Sequence, residues 1–125
     1  MVTPSTKVEL DTVYIYSFGH IFNVQWEPHE SDFYIDVRDL KKYKTCLETN
    51  KLGTDKAMQR KYLQHPEIKE FYEHEILFPT RETMPKRIFI GCHQGKHKSV
   101  MLAIQLAKDL KRRYKKVFLH HLTLS

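Results

Sequence analysis

The sequence predicts a single three-layer α/β domain with a small, mostly parallel sheet of about four strands flanked by helices. Three observations carry that prediction. Near-continuous apolar runs (Thr12-Val13-Tyr14-Ile15-Tyr16, Phe33-Tyr34-Ile35-Asp36-Val37-Arg38, Arg87-Ile88-Phe89-Ile90-Gly91 and Val117-Phe118-Leu119) fit strands buried on both faces, as in a parallel sheet. Segments with apolar residues at helical spacing stand between them, and strands alternating with helices argue for right-handed crossovers. The length, 125 residues with 41% hydrophobic and 29% charged, is room for one core and no second domain.

In chain order, residues 1–11 read as a short polar arm, with Pro4 discouraging regular structure, and residues 12–125 as the domain. The first strand stops at Ser17-Phe18-Gly19-His20. Gly53-Thr54-Asp55 offers a turn and a helix cap, after which Ala57, Met58, Tyr62 and Leu63 recur at helical spacing up to His65-Pro66. Pro66 opens a second helix, in which Ile68, Phe71, Tyr72, Glu75 and Ile76 extend to Pro79. The third strand ends on Gly91, and the helix after it shows Val100, Ala103, Ile104, Ala107 and Leu110 on one face.

No stretch approaches eighteen consecutive apolar residues, which excludes a transmembrane helix, and Met1 to Leu10 lacks the basic-then-apolar order of a secretory signal. Two cysteines, Cys46 and Cys92, make no disulfide framework and point to a reducing cytoplasm. The formal charge of +6 is unevenly placed. Between Lys86 and Lys116 ten Lys and Arg face the single acid Asp109, a local +9 that leaves −3 for the rest. Such asymmetry points to an anionic partner at one face: nucleic acid, a phosphate metabolite or a membrane surface.

In parallel sheets ligands gather outside the carboxyl ends of the strands. Here those ends are Ser17-Phe18-Gly19-His20, Asp36-Val37-Arg38 and Gly91-Cys92-His93. The strongest local signal is Gly91-Cys92-His93-Gln94-Gly95-Lys96-His97-Lys98-Ser99, between a strand and an amphipathic helix. Glycines allow close backbone approach, unpaired N–H groups open the helix, and its dipole favours negative charge. Lys96, His97 and Lys98 add side-chain donors, so an anion site outweighs a plain strand-to-helix turn.

Sharper readings of this loop compete. A Walker A loop needs four residues between its glycines, whereas three separate Gly91 from Gly95, and His97 follows Lys96. A cysteine-dependent phosphatase stays open as the alternative, with Cys92 as nucleophile, Lys98 and the loop amides holding phosphate, and Asp36 or Asp39 as proton donor. Lys98 is its defect, because an ammonium cannot reproduce the two-pronged grip of a guanidinium. Cys92, His93, His97, His120 and His121, with His20, suit zinc by type but not by spacing, and neither a metal nor another cofactor is expected.

The segment Ile90 to Val100 resembles the Gly-Cys-Thr-Gly-Gly-(Lys/Gln)-His-Arg-Ser-Val signature of the C-terminal domain of RapZ-type RNase adapter proteins. Ser17-Phe18-Gly19, Asp36-Val37-Arg38 and Gly53-Thr54-Asp55 are similar to further pieces of that family in the same order, over roughly residues 12–122. The chain departs from the signature at Lys98, where the family has Arg, and at His93-Gln94, where it has Thr-Gly. The resemblance implies a non-enzymatic domain that binds RNA and an amino-sugar phosphate and presents a small RNA to an endoribonuclease. It implies an anion pocket of Gln94, Gly95, Lys96, His97, Lys98 and Ser99 with Cys92 at its base and Ser17, Gly19, Asp36 and Arg38 on neighbouring strand ends; His20 and His93 join the candidate ligand set from their own places at those ends. The family's kinase-like domain has no counterpart here, so a free-standing module is expected.

Six basic residues within nine positions, Lys108, Lys111, Arg112, Arg113, Lys115 and Lys116, exceed what a helix end requires and suit sequence-independent phosphate contacts. Tyr43, Tyr114 or Trp26 could stack on bases, but no RNA-recognition signature built on sheet aromatics is read. The expected partners are RNA, a phosphorylated small molecule, and an endoribonuclease or full-length relative. No membrane is expected, and self-association stays open.

Overall fold

Strands β1 (Thr12–Gly19), β2 (Asp32–Asp36), β3 (Arg87–Cys92) and β4 (Lys116–His121) form one sheet in the order β2-β3-β1-β4, every pair parallel. The computed structural model describes residues 12–27, 29, 32–38 and 53–123. The expected arm 1–11 lies outside the described residues, as do Asp39, Tyr43 and Cys46. The strands predicted from apolar runs are all present, and the sheet is wholly rather than mostly parallel.

Alternation along the strands divides the sheet into two faces. Val13, Ile15, Ile88 and Ile90 point one way and are fully buried, with Phe33, Ile35, Val117 and Leu119 packed around them. Helix α4 (Lys98–Leu110) lies on this face and contributes Leu102, Ala103, Leu106 and Leu110 to the same core. The expected stripe of α4 is buried at Val100, Ala103, Ala107 and Leu110, while Ile104 is half-buried. Met101, Leu102 and Leu106 are buried too, because α4 is covered on both flanks. Its outer flank meets α1 (Lys56–Leu63) and α2 (Pro66–Phe71) in a second cluster of Met58, Tyr62, Ile68 and Met101.

The turn-and-cap reading of Gly53-Thr54-Asp55 matches the structure, where the Asp55 carboxylate accepts the Met58 N–H at 2.9 Å. The helix opened by Pro66 runs past its predicted end. It widens into a π-helical turn at Tyr72–Leu77 and continues as α3 (Phe78–Thr83). Pro79 falls just after that turn, where the hydrogen-bond ladder is already displaced, so its ring and missing N–H are tolerated.

The described helices cover one face of the sheet only. The other presents Tyr14, Tyr16, Phe18, Tyr34, Phe89, Phe118 and His120, with Trp26 laid flat on Phe89 at 4.2 Å. Among the described residues the expected third layer is therefore the short 3-10 turn His20–Phe22 and the Trp26 segment, not a helix. Aromatic and aliphatic residues both count as apolar in a sequence run, so a half-open aromatic face reads like a doubly buried strand.

Candidate functional site

Parallel pairing brings the carboxyl ends of all four strands to one edge. Register sets Gly19 beside Cys92, Asp36 beside Gly91 and His121 beside Ser17. Backbone bonds from Ile21 N–H to His93 O (3.1 Å) and from Val37 N–H to Gly91 O (2.8 Å) tie the next loops to the end of β3. The segments chosen from sequence as ligand-facing are thus neighbours in space.

The loop from β3 to α4 is folded around Cys92. This thiol is 4% exposed, accepts the Gly95 N–H at 3.1 Å and lies 3.1 Å from the hydroxyl of the buried Ser99. Gly95 sits at φ +72°, a conformation that favours glycine, and packs against the backbone of Phe18 and Gly19. From outside, the Gly53 N–H donates to Lys96 O at 2.6 Å, and Gln59 holds the Gly53 carbonyl at 2.8 Å. The turn read as a helix cap therefore also clamps the loop. His93, Gln94 and Lys96 are exposed, while His97 and Lys98 are half-buried. His97 is the N-cap of α4, and its side chain makes no capping hydrogen bond to the first turn.

Beside the loop, Arg38 grips Asp36 with Nε at 2.9–3.0 Å and Nη2 at 2.6 Å. That grip holds the Asp36 carboxyl below the usual carboxylate range. Lys98 Nζ reaches the Arg38 carbonyl at 3.5 Å, joining this rim to the start of α4. His20 Nε2 lies 2.9 Å from the Tyr34 hydroxyl and 3.7 Å from Asp36. Burial, then the Arg38 charge, lowers the His20 pKa against the opposing pull of Asp36. Lys96, Lys98 and the Asp36-held Arg38 thus stand with His20 at the edge where the dipole of α4 is positive, an arrangement able to hold an anion.

Other candidates are placed differently. Ser17 is buried, its hydroxyl 2.6 Å from His121 Nδ1, and so ties β1 to β4 rather than facing solvent. Gly19 N–H donates to Thr123 Oγ1 at 3.0 Å, a partner that nothing in the sequence singled out. The histidines weighed for zinc are scattered: His120 stacks beside Tyr16 on the aromatic face, while His121 bonds Ser17 on the other. Among the described residues no three His, Cys, Asp or Glu are grouped to hold a metal ion. A cleft of about 510 Å³ is lined by Leu63, Tyr72, Leu77, Gln105 and Asp109, none of them from the loop.

The basic cluster, adjacent to the loop in sequence, is remote in space. Lys108 is in the last turn of α4, Lys111, Arg112 and Arg113 follow it, and Lys115 and Lys116 lead into β4. Because α4 returns the chain from the carboxyl edge to the amino edge, the two basic groups stand roughly 20 Å apart, the length of the helix.

Burial, and then the neighbouring His120, lowers the His121 pKa as well. Two imidazoles with folded pKa values below the unfolded value of about 6.5 bind fewer protons folded than unfolded. Their contribution to stability is present above that value and is lost as the pH falls from it through the lower folded values. The expected result is a lower thermal midpoint at pH 5.5 than at pH 7.5, with a smaller drop in His121→Gln. A wild-type midpoint that is flat over this window counts against the assignment.

The sequence matches the family described as RapZ C-terminal domain over residues 11–125. It is similar to a curated protein of Pediococcus pentosaceus called "Nucleotide-binding protein", 36% identical over 111 residues, covering 80% of this chain and 36% of that protein. A protein of the same name from Limosilactobacillus reuteri is 36% identical over 118 residues (87% and 40%), and one from Agathobacter rectalis is 33% identical over 132 residues (88% and 44%). The chain spans less than half the length of each of these relatives.

Proposed function

The chain belongs to the RapZ C-terminal domain family, and on that premise we propose that it is a non-enzymatic module. It binds a phosphate-bearing small molecule at the Gly91–Ser99 loop and RNA through the basic cluster at the opposite edge. The observation that carries the first half is the meeting of the α4 N-terminus with Lys96, Lys98, Arg38 and His20 at one edge of the sheet. The relatives' printed name supports it, since a nucleotide presents phosphate. The residues that would touch the ligand are Gln94, Gly95, Lys96, His97 and Lys98, with His93, His20 and Arg38 at the rim. Asp36 holds Arg38 and His20 in place, and Ser17, Gly19, Cys92 and Ser99 form the base. The amino-sugar phosphate and the presentation of RNA to an endoribonuclease extend this reading from the family resemblance, in a reducing cytoplasm.

An enclosed thiol bonded to Gly95 and Ser99 favours a binding role over attack on phosphate. Lys108, Lys111, Arg112, Arg113, Lys115 and Lys116 would track phosphates of RNA without reading bases.

The test is thermal unfolding with inorganic phosphate, an amino-sugar phosphate and a nucleotide, on the wild type and on Lys96→Ala with Lys98→Ala. A ligand well above its dissociation constant raises the midpoint by several degrees in a domain of this size. The rise is expected in the wild type and in Cys92→Ser, and not in the lysine double variant. An equal rise in the double variant overturns the loop as the site.

A further inference from the structure

We propose that the aromatic face of the sheet is a stacking surface for the bases of single-stranded RNA, entered at Phe118. The inference rests on the RNA reading above and specifies how the nucleic acid is held. On this face the rings form a continuous offset stack rather than scattered side chains. Trp26 lies on Phe89 at 4.2 Å and 8°, Phe89 on Tyr16 at 5.0 Å and 16°, Tyr16 near Tyr14 at 6.5 Å and 13°, and Tyr14 on Phe118 at 5.2 Å and 14°. The stack ends at Phe118 on the edge strand β4, with no further ring beside it among the described residues.

Tyr14, Tyr34 and Phe118 are 40%, 43% and 42% exposed, a large apolar surface to leave in water when the opposite face is packed under α4. Contiguous exposed apolar patches of this kind mark interaction surfaces. Charge decides which partner fits. Lys116 and His120 lie two residues to either side of Phe118 and point to the same face. A cleft of about 380 Å³ beside Tyr14 is lined by His29, Lys86 and Arg87. On β2 the two acids that face this way are paired, Asp32 with Arg87 and Asp36 with Arg38. A stack of π faces with a cationic rim, continuous with the Arg112–Lys116 cluster, suits a chain of planar bases on an anionic backbone. An apolar protein surface would leave that rim unpaired.

The test measures binding of a short single-stranded RNA carrying 2-aminopurine, and of a duplex of equal length, to the full chain over a range of salt. Four proteins are compared: the wild type, Phe118→Leu, Tyr14→Leu, and the triple variant Lys111→Ala, Arg112→Ala, Arg113→Ala. Phe118 and Tyr14 are exposed, so leucine leaves the thermal midpoint within a few degrees. Expected are quenching of 2-aminopurine on binding and about tenfold weaker single-strand binding for each leucine variant, with an unchanged salt slope. The triple variant weakens single strand and duplex alike and flattens the slope. Unchanged single-strand affinity in both leucine variants, with a weakened triple variant, overturns the stacking surface and leaves the RNA reading standing. No RNA affinity in the wild type removes both. Self-association of the wild type that Phe118→Leu abolishes, with RNA affinity unchanged, assigns the face to a second copy of this chain and overturns the proposal.

Discussion

Gly19→Ala is expected to destabilise the fold by about 3 kcal/mol, the upper end of what an overpacked methyl does in a well-packed site. A Cβ at this position runs into the carbonyl group of Gln94 and comes within 2.7 Å of the Gly95 nitrogen. Both obstacles are backbone, so no side chain can swing away. Either the end of β1 or the 93–96 loop must move. Moving the first strains the bond from Gly19 N–H to Thr123, and moving the second withdraws Gly95 N–H from the Cys92 sulfur. At roughly 4 °C per kcal/mol for a chain of this size, the midpoint falls by about 12 °C, and the midpoint rise with phosphate is lost with it. A variant that unfolds like the wild type and still responds to phosphate would show that the loop is not seated on β1.

Arg87→Met is expected to destabilise by about 2–3 kcal/mol at neutral pH through an unrelated cause. Arg87 donates to both oxygens of Asp32, at 2.8 and 2.6 Å, and to the Glu27 carbonyl at 2.6 Å. The Asp32 side chain is 9% exposed, so removing the guanidinium leaves a carboxylate with little water to replace it. The estimate is kept below that for a fully buried pair because Arg87 itself is partly solvated. Arg87 holds the Asp32 pKa below its usual value. The pair's contribution is therefore present above the unfolded carboxyl pKa, near 4, and disappears as the pH falls through the lower folded value. Denaturant unfolding should show the wild type and the variant converging in strong acid, and the double variant with Asp32→Asn losing less than the sum of the single losses. Additive losses would dissolve the pair. Coupled losses would make Arg87 one of the ten cations of the basic third that the fold uses internally.

Much of the site was legible because its signals are local. Gly95 and Cys92 stand in a short strand-to-helix loop whose chemistry depends on neighbours in sequence, and the capping of α1 by Asp55 is decided within one turn. What stayed hidden depends on residues far apart in the chain. Nothing local marks Thr123 as the acceptor for Gly19, Gly53 as the clamp on Lys96, or His121 as the partner of Ser17. The helix past Pro79 was missed because a π turn leaves no periodic mark that distinguishes it from an ending.

By itself the sequence determined the α/β class, the four strands, the strand-to-helix loop proposed here as an anion site and the sign of the charge around it. Those properties follow from residue order, alternation and short-range hydrogen bonding. Tertiary structure alone decided where the charges and rings stand relative to one another. Parallel pairing gathers the ends of three separate strands around the loop, and the return path of α4 carries the basic cluster to the far edge. The same pairing aligns Trp26, Phe89, Tyr16, Tyr14 and Phe118 into one stack. A strand's apolar run does not say which of its faces a helix will cover, so the open aromatic face exists only in the folded chain.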